Sequence, residues 1–250
     1  MIFAAQAFEA MAGLPVVPLH VVTGGKPALI LAPHADDESL GYGGLIAAAS
    51  AAGHPPLVLI LTDGTGSHPN SRAYPPARLK SVREQEASDA VGILGLPPGR
   101  LGFLGLRDTA APTEGEGFDA AIAAILSFVE QTGAASILSP WQHDPHCDHL
   151  AAHLMASEAA ARCRVRHLAY PIWGWTLPPD TRLPGPVPHG VRLDITDHLA
   201  VKRRAIAAHV SQYGGLIQDD EEGFQLPSSL LDIFSRPYET FLTLHEPAAR

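Results

Sequence analysis

Residues 31–44 read LAPHADDESLGYGG, an apolar stretch that runs into His34, Asp36, Asp37 and Glu38 and then three glycines. Imidazole and carboxylate are the ligand types of zinc-class ions, and His34 with Asp37 can close on one ion from a tight loop. Asp36 is then free to face water as a base. Without a cation, neighbouring carboxylates repel and their ionisation is suppressed, which is the physical reason to expect a metal. Two other readings compete. Acids in a first helical turn satisfy free N–H groups and suit the helix dipole, which fits Glu38 best. Gly41, Gly43 and Gly44, with Asp63 ending the next strand, faintly suggest a dinucleotide fold and hence a nucleotide-binding oxidoreductase. However, carboxylates fill the turn where pyrophosphate would sit and would repel it. The glycines predict close helix–sheet packing instead.

A second cluster, WQHDPHCDHLAAH at 141–153, carries His143, His146, His149 and His153 around Asp144 and Asp148. His149 and His153 are four apart at a helix start and share a face. One ligand from here would complete a His/Asp/His set with an open position for water. A further histidine could stabilise an oxyanion or protonate a leaving amine, and a neighbouring carboxylate, for which Asp148 is the candidate, would keep it cationic. His153 reads as structural, and Cys147 lies among the ligands with no assigned role. Cys163, His20, His54, His68 and His245 receive none either.

These clusters must be presented by strands. Short apolar runs alternate with helical periodicity, the pattern of a parallel α/β sheet. Strands are expected at 28–33, 56–64, 100–106, 135–141, 167–175 and 191–196. Helices are expected at 39–53, 76–95, 118–133, 149–163 and 197–213, and loops at 178–188 and 219–223. Both clusters follow a strand, so they should line the crevice at the carboxyl ends of the sheet.

The chain has 250 residues, 46% of them hydrophobic, enough for one large domain core. A net charge of −9 without a lysine-rich block argues against nucleic acid and anionic membranes as partners. No apolar run is long enough for a membrane helix. The first twenty residues lack a basic leader, and two cysteines suggest a reducing compartment, so a cytoplasmic location is expected.

H-x-D-D-E after the first strand and H-x-D-H about a hundred residues later resemble the LmbE/PIG-L family of zinc-dependent deacetylases, which remove acetyl groups from N-acetylglucosamine-type sugars. VREQEASDAVGILGL, FLGLRDT and DITDHLAVKRRAIAAHVSQ are similar to further family segments. The resemblance implies a Rossmann-like α/β domain over 1–250, mostly parallel and flanked by helices, with 178–250 shaping substrate choice. It implies His34, Asp37 and His149 as ligands of Zn2+, or of another divalent ion such as Fe2+. It further implies Asp36 as general base, His146 as acid and oxyanion group held by Asp148, and Arg83 as a substrate contact. Arg83 could instead pair with Glu84 or Glu86 on its own helix. The family's usual prolines are replaced by Ala35 and Cys147. The expected activity is attack of a zinc-bound water on the acetyl group of a small amino-sugar substrate, with a homo-oligomer left open. A non-catalytic metal- or sugar-binding protein is the alternative.

Overall fold

The computed structural model describes residues 1–245. The chain begins with β1 (Ile2–Phe3), α1 (Ala4–Ala12), β2 (Val16–Val17), α2 (Leu19–Thr23), β3 (Ala28–Ala32), α3 (Asp37–Ala51) and β4 (Leu57–Thr62). It continues through α4 (Pro76–Ile93), β5 (Leu101–Leu106), α5 (Gly115–Thr132), β6 (Ser136–Pro140), α6 (Cys147–Cys163) and β7 (Arg166–Tyr170). The last third comprises β8 (Arg182–Leu183), β9 (Gly190–Asp194), α7 (Leu199–Ala208), α8 (Val210–Tyr213), α9 (Ser228–Phe234) and β10 (Tyr238–His245).

Eight strands form one mixed sheet in the order β2-β9-β10-β7-β6-β3-β4-β5, while β1 and β8 pair separately. The five strands from β7 to β5 are parallel. β10 is antiparallel to both β7 and β9. From β3 the chain builds outward through β4 and β5, then returns to add β6 and β7 on the other side. The crevice beyond the carboxyl ends of β3 and β6 is therefore a topological switch point. β3, ALILA, is buried at every position because helices cover both its faces. Ile30 and Ala32 join Val58, Ile60, Leu138 and Leu168 on the side of α3, α4 and α7. Leu29 and Leu31 join Leu59, Ile137 and Met155 on the side of α5 and α6.

The glycines of α3 serve packing, as expected. A Cβ on Gly41 would meet the Tyr170 ring at 3.0 Å, one on Gly43 would meet the Lys202 stem at 2.9 Å, and one on Gly44 would collide with Ile195. Beneath this contact Lys202 donates to Glu239 at 2.7 Å, and both side chains are fully buried. The Glu239 carboxylate also accepts the N–H groups of Gly44 and Leu45, so α3, α7 and β10 share one buried ion pair.

Three expectations need correction. The strand expected over 167–175 stops at Tyr170, because the Asp144 carboxylate accepts the N–H groups of Ile172, Trp173 and Gly174 and pulls the chain into a 3-10 turn. The helix expected over 197–213 breaks at His209, whose side chain reaches under α3. The segment 178–188 includes β8 and is not wholly loop. Among the described residues no helix is long and apolar enough to cross a membrane.

Replacing a helical glycine by alanine ordinarily stabilises by about 1 kcal/mol. Gly44→Ala should do the reverse, destabilising by about 1–3 kcal/mol through overpacking against Ile195. Chemical denaturation of the two proteins measures the sign directly.

Candidate active site

β3 delivers its chain into a loop whose backbone is strained. Asp36 adopts φ 142°, ψ −30°, in a region that side-chain-bearing residues rarely occupy. Surrounding bonds fix it there. The Asp36 N–H donates to Glu38 Oε2 at 2.9 Å, and its carbonyl accepts from Ser39 and Leu40. The neighbouring Ala35 carbonyl accepts from Arg83 Nη2 at 2.8 Å. Glu38 is buried and held in turn by Ser39 Oγ and by His209 Nε2, at 2.7 and 2.8 Å. Burial pushes the Glu38 carboxyl up, but His209 outweighs it and leaves the group below its usual range. Glu38 thus accepts the N–H of Asp36, the residue just before α3, rather than one inside its first turn, and its other oxygen anchors a partner 171 residues away.

Asp37 Oδ2 is the meeting point of the two sequence clusters. It lies 3.2 Å from His34 Nδ1 and 3.3 Å from His149 Nε2. Asp144 fixes the His149 ring by contacting Nδ1 at 2.9 Å, which aims Nε2 at Asp37. His149 Nε2 is buried without a hydrogen-bond partner among the described residues. That unpartnered nitrogen, and a donor set of two imidazoles and a carboxylate, fit a zinc-class ion. Ring nitrogens of His34, His146 and His149 also lie within 4.8 Å of one another, so His146 borders the same position.

Without a metal ion the charges balance through histidine. Burial works against a positive His34, yet Asp108, Asp148 and Asp37 outweigh it and push its pKa well above the ordinary value. Burial likewise opposes a charged His149, and Asp37 and Asp144 overcome it, raising the ring to about 9. Asp37 is held far below its usual range because His149 and His34 overcome its burial. Asp36 behaves oppositely: burial raises it to about 7, with Asp37 adding to the rise and Arg83 opposing it.

His146 and Asp148 are adjacent but not paired as expected. The Asp148 carboxylate accepts from the N–H groups of Thr109 and Ala111 and contacts His34 Nε2 at 3.1 Å. Only the Asp148 backbone N–H reaches His146, donating to Nδ1 at 3.2 Å. A donor on Nδ1 leaves the neutral ring its proton on Nε2. Burial and the neighbouring His34 and His149 lower the His146 pKa, opposite to the cation that sequence suggests.

Arg83 is 3% exposed and pairs with neither Glu84 nor Glu86. Its Nη1 donates to Gly64, its Nη2 to Ala35, and Nη2 lies 3.7 Å from Asp36. Much of its fork is therefore committed to holding two loops. Asp108 also belongs to the site, 3.4 Å from His34 Nε2. It follows β5 in the FLGLRDT segment, where a single carboxylate carries too little signal to be assigned a role from sequence. His34, Asp36, Asp37, Arg83, Asp108 and His146 line a cavity of about 210 Å³, together with Trp173, Gln212 and Phe224.

The profile described as PIG-L, GlcNAc-PI de-N-acetylase, matches residues 29–160, a span that contains both clusters. The chain belongs to the PIG-L family. Among characterised proteins it is 31% identical over 136 residues to 2'-N-acetylparomamine deacetylase of Streptomyces fradiae, covering 50% of this chain and 49% of that one. The chain thus spans about half the length of that relative. It is 27% identical over 203 residues to diacetylchitobiose deacetylase of Thermococcus kodakarensis, covering 75% and 70%. Among solved structures, GalB, the 4-carboxy-2-hydroxymuconate hydratase of Pseudomonas putida KT2440, superposes with a TM-score of 0.66 at 19% identity, covering 90% and 98%. That likeness is one of fold.

A metal ligand must be deprotonated, and His149 is charged in the metal-free PIG-L site until about pH 9. Zinc affinity should therefore rise with pH towards that value, with proton release on binding. Calorimetry in buffers of different ionisation enthalpy counts those protons. Asp37→Ala and His149→Ala should each abolish most of the binding. A pH-independent affinity without proton release would contradict the assignment.

Proposed function

We propose that the chain is a metal-dependent N-deacetylase that releases acetate and a free amine from an N-acetylglucosamine-type sugar or its conjugate. The observation that carries the reading is Asp36, a buried carboxylate fixed by strained backbone on the wall of a cavity that it shares with His34, Asp37 and His146. Membership of the PIG-L family and two relatives named as deacetylases support it.

His34, Asp37 and His149 would hold the ion, which when bound supplies Lewis acidity towards water and an amide carbonyl. Asp36 accepts a proton from the water that attacks the acetyl carbon, a role open to a carboxylate on the cavity wall that is not itself one of the three ligands. As the carbonyl becomes tetrahedral its oxygen gains charge, and His146 donates to it from Nε2–H as a neutral imidazole. Its Nδ1 is committed to the Asp148 N–H, so the ring is already oriented. When the C–N bond breaks, the proton held by Asp36 passes to the departing nitrogen and the carboxylate is restored. Amide and water have become acetate and amine. Arg83 steadies the Ala35 carbonyl and thereby Asp36, and it contributes to the wall against which the sugar sits.

Asp36→Asn should keep bound zinc and the fold while losing about a hundredfold or more in turnover. Acetate release from N-acetylglucosamine and its conjugates is the measurement. Near-wild-type turnover in the variant would remove Asp36 from the chemistry. Metal-loaded wild-type protein that releases no acetate from any acetamido sugar would favour the non-catalytic alternative.

A further inference from the structure

His34 has two ring nitrogens, and they face different partners. Nδ1 lies 3.2 Å from Asp37 Oδ2, the oxygen that His149 Nε2 also approaches, at 3.3 Å. Nε2 turns the other way, to Asp148 Oδ2 at 3.1 Å and Asp108 Oδ1 at 3.4 Å. A neutral imidazole carries one proton, so a ring that gives Nδ1 to an ion keeps its N–H on Nε2. In this site that N–H meets carboxylate oxygen.

Asp148 is the better placed of the two acceptors. Both of its oxygens are fixed by backbone donors: Oδ2 accepts the Thr109 N–H at 2.8 Å and Oδ1 the Ala111 N–H at 3.0 Å. The residue is 1% exposed, and Asp108 lines the cavity whereas Asp148 does not. The deacetylation steps use the Asp148 backbone N–H, which holds His146 Nδ1, but leave the carboxylate without a task. As a first-turn acid of α6 it suits the helix dipole, and it anchors the loop after β5. Neither duty requires an imidazole, yet the His34 ring stands within hydrogen-bond distance of it.

We propose that Asp148 is a positioning residue for His34: its carboxylate accepts the Nε2–H, fixes the tautomer and plane of the ring, and so presents Nδ1 to the metal. The proposal rests on the ligand set of the deacetylase reading. Asp144 plays the corresponding part for His149 from the opposite nitrogen, contacting Nδ1 and leaving Nε2 for the ion. The two imidazoles would therefore bind through different atoms, His34 through Nδ1 and His149 through Nε2. Removing an acceptor behind a metal-binding histidine ordinarily costs about 10–100-fold in metal affinity or activity. Asp148 thus acts on metal retention rather than on the charge of His146.

The test is calorimetric titration of the metal-free protein with zinc, which needs no turnover and so gives an answer even if no acetate is ever released. Asp148→Asn should weaken zinc binding by about tenfold or more. The same loss should appear in a His146→Ala background, because His146 is not the route. In a His34→Ala background, where binding is already weak, Asp148→Asn should make little further difference, since residues that act through one another are not additive. An equal loss with and without the His34 ring would show that Asp148 only anchors its loop, and would overturn the proposal. So would wild-type affinity in Asp148→Asn, or a loss that vanishes without His146. Asparagine can accept only one of the two loop N–H groups, so the variant could fail to fold, and the wild-type protein supplies a second measurement. In isotope-labelled, zinc-loaded protein, the nitrogen chemical shifts should show one ligand ring with the metal at Nδ1 and a proton on Nε2, and the other with the reverse. Two ligand rings both bound through Nε2 would overturn the proposal without any variant.

Discussion

Four carboxylates, those of Asp36, Asp37, Asp108 and Asp148, are buried around His34, and the protein must make that concentration of charge tolerable. Burial alone would protonate them all. Three are kept ionised by named partners: Asp37 by two imidazoles, Asp108 by His34 and the Gly66 N–H, and Asp148 by His34 and two loop N–H groups. Asp36 receives no such imidazole contact, and the Arg83 guanidinium beside it bonds the Ala35 carbonyl more closely than the carboxylate. It is accordingly the group left titrating near 7. Two adjacent residues on one loop thus have opposite acid–base characters. The difference comes from which neighbours the fold supplies, and it suits one to ligation and the other to proton transfer.

That arrangement depends on distant parts of the chain arriving at one place. β3 and β6 bring the two sequence clusters side by side, and β5 brings Asp108. Behind them, Glu38 links the strained Asp36 backbone to His209, and Glu239 links α3 to Lys202. Each buried acid sits against a specific cation, and removing one member would strand the other. The break between α7 and α8 at His209 has the same origin. The His209 ring contacts both Glu38 and Ser39, and the following residues turn Ser211 and Gln212 towards α4 and the cavity.

Much of this was legible before the structure. Parallel strands buried on both faces leave continuous apolar runs, so ALILA and LVLILT mark themselves, as do the periodic helices after them. The two clusters were legible because metal-ligating types gather at strand ends, whereas His149 was singled out from four histidines only by the family resemblance. What stayed hidden depends on contacts that no local pattern encodes. The end of β7 at Tyr170 is imposed by a carboxylate 26 residues earlier, and the orientation of Asp148 by the N–H groups of Thr109 and Ala111. α1, α9 and β10 were not among the elements expected from the sequence. Buried Glu239 disguised β10, because charge at such a position reads as solvent-facing.

The fold does not choose the chemistry: GalB, named as a hydratase, superposes on this chain over most of its length. The choice lies in the side chains, and these divide along the sequence. His34, Asp36, Asp37, Arg83, Asp108, His146 and His149 all fall within the 29–160 span that the PIG-L profile matches. Trp173, Gln212 and Phe224, which also line the cavity, all fall beyond it. The cavity is therefore lined mainly from the span the profile matches, with three lining residues from segments it does not reach. Two relatives named for different sugars, paromamine and chitobiose, fit such a division. A cavity of about 210 Å³ is thus lined by residues from both parts of the chain.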